Sequence, residues 1–430
     1  VSTAPIYYRC SYYFPDKPPQ EANHRTKAVQ AAARLIAAAV ARLGGARRPY
    51  RGLAVPMKFR VERDVLAEAV SWTARSLPLR PPVAVLAGML IAADDNGLTL
   101  SGFDYETSAL AEISADVAVE GRVLVSGRLL AEICKSLPNK PVDFALDGSR
   151  VQVACGSSRF NLLTLPVEDY PSLPEMPTRA GTVAADLLAQ AAAQVALAAG
   201  RDDTLPILTG IRIEIEGETV TLAATDRYRL AVREFGWKPE HPGVSLAALV
   251  PAKTLSESTR AMSGDVEFAL STTGAGSGLL GLAANGRRTT SRLLEGEFPK
   301  YRSLLPTEYS SVAGLPTATL IEAVRRVSLV AERNTPVRLS FNPGELVLEA
   351  GSGEEASASE ALEAQLDGDA ITIAFNPSYL LDGLNALGTA HARLAFTTPN
   401  KPAVITGSAG QDQAGAPEYR HLLMPVRLSG

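Results

Sequence analysis

The side chains best suited to metal or nucleophilic chemistry are few and scattered. The histidines are His24, His241, His391 and His421, and the cysteines are Cys10, Cys134 and Cys155. A zinc site draws ligands a few residues apart on one turn or helix, and a metalloprotease needs two histidines one helical turn apart around a glutamate. No such spacing occurs, and no nucleophile elbow stands near a histidine. The run GAGSGLLG at Gly274 has the glycines of a phosphate loop but lacks the terminal Gly-Lys-Ser/Thr, so it reads as a hairpin loop between strands. Asp226 in ATDRYRL and the neighbours Glu168 and Asp169 could pair as acids, but their setting suits turn and interdomain hydrogen bonding. We therefore expect no catalytic residues, no metal and no cofactor. The chain reads as a protein that works by binding.

What it binds is constrained by charge. Residues 1 to 56 carry nine Lys/Arg and two Asp/Glu, leaving 33 basic against 44 acidic residues from Met57 onward. An acidic body cannot coat nucleic acid with its whole surface, because non-specific affinity comes from neutralised phosphates. A local basic lining stays possible. The odd cysteine count without CxxC pairs suits a reducing compartment. The longest apolar run, Ala31 to Leu43, is broken by Arg34 and Arg42 and is too short for a bilayer, so a cytoplasmic protein is expected.

The composition changes at Met57. Before it stand aromatic and proline-rich text, an Ala/Arg-rich stretch and GGARRPYRGLAVP, which read as a basic extension, flexible or arising from a misread start. After it one order of elements recurs three times, about every 125 residues. Each copy opens with an amphipathic helix: Asp64 to Ser76, Ala185 to Ala199, Thr317 to Arg333. A strand pair follows, clearest where Ile211, Ile213 and Ile215 alternate with Arg212, Glu214 and Glu216. A second helix comes later, in SGRLLAEICKSLP, PAKTLSESTRAMS and NPSYLLDGLNALG. Two helices on mainly antiparallel strands, written three times, predict an α+β protein of three similar domains, 57–176, 177–306 and 307–430.

The phrases MKFRVERDVL, LPNKPVDF, RFNLLTLPVEDYPSLP, AAGRDDTLPILTGI, ATDRYRLAV, FPKYRSLLP, FNPSYLLDGLNAL and LLMPVRL, in this order and spacing, resemble the bacterial sliding-clamp family, in its actinobacterial form, from Met57 to Gly430. The resemblance implies the DNA clamp fold in a head-to-tail homodimeric ring, with helices lining a pore that encircles double-stranded DNA regardless of sequence. It implies a non-catalytic processivity factor that tethers DNA polymerase and is opened by a separate clamp loader. A second clamp copy, insensitive to a clamp-binding antibiotic, is the alternative biology on the same fold. A cytosolic enzyme is the rival class, and a dimer in solution argues against it.

Three sets of residues follow. Basic residues on or beside the helices, Arg63, Arg75, Arg80, Arg128, Lys135, Arg201, Lys253, Arg260, Arg325 and Arg326, are the candidates for DNA. Arg80 and Arg201 rank first because they match loops where the family contacts DNA. The family's pocket for short linear motifs carries over to Leu208, Thr225, Arg227, Tyr228, Arg229, Leu230, Pro299, Leu304, Asn376, Tyr379, Met424, Pro425, Val426, Arg427 and Leu428. Aliphatic walls and a flexible methionine suit the apolar anchors of a peptide. Without the resemblance, MPVRL reads as an edge strand closing the last sheet; the resemblance reverses that reading. The resemblance also implies a dimer contact between Cys134, Leu137 and Phe160 of one chain and Ser328 and Leu329 of the other. The sequence departs from the commonest family pattern at Ser303, where an arginine often stands, and at Pro399 and Pro402.

Overall fold

The computed structural model describes residues 57–271, 278–331, 335–351, 356–408 and 418–427. The expectations for residues 1–56, for Leu428 and for the first half of GAGSGLLG lie outside them.

The first unit runs β1 (Lys58–Val61), α1 (Arg63–Thr73), β2 (Gly88–Asp94), β3 (Gly97–Phe103), β4 (Thr107–Ile113), β5 (Asp116–Val119), β6 (Gly121–Ser126), α2 (Gly127–Ser136), β7 (Val142–Asp147), β8 (Arg150–Cys155) and β9 (Ser158–Leu165). The second repeats the order: β10 (Arg179–Ala184), α3 (Ala185–Ala196), β11 (Gly210–Glu216), β12 (Thr219–Thr225), β13 (Arg229–Gly236), β14 (Lys238–Pro239), β15 (Ser245–Pro251), α4 (Ala252–Thr259), β16 (Asp265–Ser271), β17 (Leu279–Ala284) and β18 (Arg287–Arg292). The third runs β19 (Ser311–Pro316), α5 (Thr317–Val327), β20 (Val337–Asn342), β21 (Gly344–Gly351), β22 (Ser357–Gly368), β23 (Ile371–Phe375), α6 (Pro377–Leu387), β24 (His391–Phe396), β25 (Ala403–Ser408) and β26 (Tyr419–Leu423).

The helices are shorter than their amphipathic patterns. α1 gives way to a 3-10 turn at Ala74–Ser76, and α5 to one at Ser328–Val330. The apolar stripe still faces inward, with Leu66, Ala69, Val70 and Thr73 of α1 buried at helical spacing. α6 is closed at both ends: the Asn376 side chain accepts from the amides of Ser378 and Tyr379, and Gly388 takes the left-handed φ of 65° that ends the helix.

Every strand pairing is antiparallel, and the strands form two long sheets of 14 and 12 strands. Each sheet crosses from one unit into the next. In the first crossing β18 pairs with β4, from Arg287 opposite Ala111 to Ser291 opposite Thr107. In the second β26 pairs with β13, from Tyr419 opposite Arg233 to Leu423 opposite Arg229. The last strand of one repeat thus joins the β4-type strand of the repeat before it. Both crossings use the same register: the amide of Glu112 donates to the carbonyl of Gly286, and that of Glu234 to Glu418, at 2.8 Å each. Each also carries the same ion pair, Arg288 with Glu112 at 2.6 Å and Arg420 with Glu234.

One β9-type edge and one β4-type edge are left over. Ser158–Leu163 of β9 pairs only with β8, and Ser357–Ala364 of β22 pairs only with β21. Cys134 and Leu137 lie in the core of the first unit, 0% and 3% exposed. This corrects the place on a dimer surface that the resemblance implies for them: the apolar stripe of α2 packs into the unit's own core. Phe160 is half-buried on β9, Ser328 is half-buried, and Leu329 is 84% exposed.

Candidate functional site

The second crossing places the turn Asp226–Tyr228 beside the start of α6. Asp226 Oδ1 accepts the amides of Tyr228 and Arg229 at 3.0 Å, which lets Arg227 hold a left-handed φ of 79° at the corner. Thr225 supports the corner from beneath, its hydroxyl donating to the Arg229 carbonyl at 2.7 Å. Arg229 itself is 4% exposed. Its Nε donates to Asp226 Oδ2 at 3.0 Å, its NH1 to Asp382 Oδ2 at 2.5 Å, and its guanidinium lies 4.4 Å from the centre of the Tyr379 ring. Tyr228 stacks on Tyr379 with ring centres 6.2 Å apart.

These groups border a cleft of about 500 Å³ whose walls include Leu205, Leu208, Arg201, Arg227, Tyr228, Arg229 and Tyr379. Five residues expected of a peptide pocket, Leu208, Arg227, Tyr228, Arg229 and Tyr379, therefore meet in one cleft. The chain after β26 runs past it, with the Met424 amide on the Tyr228 carbonyl at 2.9 Å and the Val426 amide on Ala374 at 2.8 Å. β26 is an inner strand and MPVR continues beyond it, so the reading of this phrase as a closing edge strand is corrected. Met424 and Val426 are exposed, as are Pro299, Leu304 and Arg427, and Pro425 is half-buried. Leu230 belongs to an apolar cluster with Phe298, Tyr301 and Leu422, and Asn376 is spent on capping α6. Asp382, Ser378 and Leu205 are wall residues that sequence reasoning missed; aligning the repeats at the starts of α4 and α6 would have exposed the first two.

The same alignment reveals a counterpart at the first crossing. Asp104 accepts the amides of Glu106 and Thr107 as Asp226 does those of Tyr228 and Arg229, and Tyr105 takes a φ of 73° as Arg227 does 79°. Lys253, Thr254 and Glu257 at the start of α4 stand where Ser378, Tyr379 and Asp382 stand on α6. The resulting cleft has a volume of about 730 Å³, and Arg75, Arg128, Lys253 and Arg260 all line it. Four of the ten DNA candidates thus converge on one recess.

Ion pairing separates the remaining candidates. Arg63 pairs with Asp64 at 2.6 Å, Arg325 with Glu322 at 2.9 Å, and Arg326 with Glu360 at 2.6 Å. Arg75, Arg80, Lys135, Arg201, Lys253 and Arg260 are exposed and have no carboxylate partner among the described residues. A free surface cation is the better phosphate ligand, because no internal pair must be broken first.

Behind the pocket His421 is fully buried, with Gly383 of α6 packed so closely that a Cβ there would lie 2.5 Å from the imidazole. Its Nδ1 meets the Tyr419 hydroxyl at 3.2 Å, and α3 is tied to α6 by Gln194 donating to the Ala386 carbonyl at 2.7 Å. Burial, with a contribution from nearby Arg229, depresses the His421 pKa to about 3. The unfolded chain takes up this proton first, near pH 6.5, so stability present above that pH is lost as pH falls toward 3. The slope should approach about 1.4 kcal/mol per pH unit. We expect His421→Asn to lose less melting temperature between pH 7 and pH 5 than the parent; equal losses in calorimetry would refute this role.

Three similar units in tandem, each with two helices on antiparallel strands and joined by sheet crossings of one register, with a cleft at a crossing, define the class as a DNA clamp. The chain belongs to the DNA polymerase III beta subunit family, the beta sliding clamps: the family's N-terminal domain matches residues 57–174, its central domain 182–300 and its C-terminal domain 302–427. It is 61% identical to the beta sliding clamp of Streptomyces coelicolor over 376 residues, 87% of this chain and all of that one. Identity to the beta sliding clamp homolog GriR of Streptomyces muensis is 48% over 374 residues, 86% of this chain and all of that one. The Bacillus subtilis DNA polymerase sliding clamp crystal structure superposes with a TM-score of 0.78 at 28% identity, covering 87% of this chain and 100% of that one. The protein is a processivity factor, a non-catalytic subunit of the replicative polymerase. Among the described residues no helix is long and apolar enough to cross a membrane.

Proposed function

We propose that two copies of this chain, each with domains spanning 57–176, 177–306 and 307–430, close head to tail around duplex DNA. The observation that carries the ring is the pair of unused edges. Two crossings of identical register join β9-type to β4-type strands, and the same rule applied between chains sets β9 of one against β22 of the other. Ser158 then faces Glu360, Arg159 faces Ser359, and Phe160 faces Ala358. Phe160 and the exposed Leu329 supply apolar surface to the same junction.

Closure makes retention topological, so each phosphate contact can stay weak and the ring can slide. Arg80, Arg201, Arg75, Arg128, Lys135, Lys253 and Arg260 are assigned to DNA, and Arg63, Arg325 and Arg326 to a lesser share because they are already paired. The cleft at the second crossing is assigned to short linear motifs of DNA polymerase and of the clamp loader. Replacing Arg80 and Arg201 together with Glu should lower the slope of log affinity against log salt by about 2. An unchanged slope would remove both from the interface.

A further inference from the structure

The cleft at the first crossing is built on the same backbone frame as the peptide pocket but carries different chemistry. The Asx turn and the left-handed corner are kept. The aromatic shelf is not: Glu106 and Thr254 stand where Tyr228 and Tyr379 stack, and Thr107 replaces the buried Arg229. In its place four cations from three separate stretches of chain surround the recess. Arg75 comes from the 3-10 turn after α1, Arg128 from α2, Lys253 from the start of α4, and Arg260 from its end. Arg75, Lys253 and Arg260 have no carboxylate partner among the described residues, and Arg128 donates to the Leu77 carbonyl at 2.9 Å. Of the two acids on the wall, Asp104 is occupied by its own turn amides and Glu257 is half-buried.

We infer that this recess holds a single strand of nucleic acid through its phosphodiester backbone, an inference that rests on the clamp reading above. The shape argues for a single strand. A frame that holds an extended chain at the second crossing holds one at the first, and a recess of about 730 Å³ exceeds what a smooth wall for a duplex needs. The charge argues for phosphate: spaced cations with apolar surface between them, including Leu79 at 78% exposure, match a repeating anion that carries bases. The repeated unit has thus given one chain two related clefts, one for a peptide and one for an unpaired strand at a primer–template junction.

The test uses the full chain as a dimer and a fluorescent dT12 oligonucleotide, read by anisotropy across a salt series. Arg128→Glu with Lys253→Glu, and separately Arg75→Glu with Arg260→Glu, should each weaken dT12 binding at least tenfold and lower the salt slope by about 1.4. Polymerase-motif peptide binding at the other cleft should stay unchanged, which reports intact folding. Unchanged dT12 affinity in both variants would overturn the inference, as would a variant-sensitive site that prefers a glutamate-rich peptide or a duplex of equal charge to dT12. Retention of the parent protein on circular DNA separates the two readings: if it holds while dT12 binding at this cleft does not, only the single-strand site is lost.

Discussion

Ser359→Pro should convert the dimer to a monomer while leaving the chain folded. The amide of Glu112 points across the first crossing and that of Glu234 across the second. Ala361 occupies their position on β22, and strand alternation then turns the amide of Ser359 toward the partner as well. Proline at Ser359 removes one outward donor and places its ring where the partner strand must lie, yet it spares the bonds to β21. Proline is tolerated on an edge and excluded from an inner strand, so the variant distinguishes the two states of β22. A loss of about 3 kcal/mol, comparable to proline in a helix interior, corresponds to dimerisation weakened more than a hundredfold. Sedimentation at micromolar concentration should show monomer with unchanged far-ultraviolet circular dichroism. A stable dimer would mean that another edge joins the chains.

Arg229→Ala should cost the second largest amount and act on stability and peptide binding together. The guanidinium is almost fully enclosed by Asp226, Asp382 and the Tyr379 ring, so truncation strands two carboxylates and frees the ring that forms the shelf. Breaking a buried pair by removing one partner costs about 3 to 5 kcal/mol, and the lower figure applies because Asp382 is partly solvated. Tyr228→Ala is the matched control. That ring is 56% exposed, so its loss should change stability by less than about 0.5 kcal/mol. It should still weaken a motif peptide by about tenfold. Calorimetry and peptide anisotropy on the two variants separate a residue that builds the pocket from one that meets the ligand. Equal melting temperatures for Arg229→Ala and the parent would refute the assignment.

Much of this was legible before any coordinates. The triple repeat, the two helices per unit and the alternation of Ile211, Ile213 and Ile215 are periodic signals, and periodicity survives in a single chain of text. The cluster of Arg227, Tyr228, Arg229 and Tyr379 came from the family resemblance rather than from periodicity, since residues 227 and 379 meet only through the pairing of β13 with β26. What sequence did not reveal is how those side chains are spent. Arg229 is carried over as one of the pocket residues and is a buried tie between two domains. Cys134 and Leu137 are carried over as interface residues and are core of their own unit. The equivalence of the two clefts was hidden for a related reason: the repeats share their turns and helix starts, but the residues at the corresponding wall positions have opposite chemistry.

The central claim is closure around DNA, and the most direct measurement is retention on a circular plasmid after loading, followed by cutting with a single-site nuclease. The account predicts that the protein co-elutes with the circle at a salt concentration that abolishes oligonucleotide binding, and is released once the circle is linear. Release from the intact circle at that salt, or equal retention on linear and circular DNA, would contradict it.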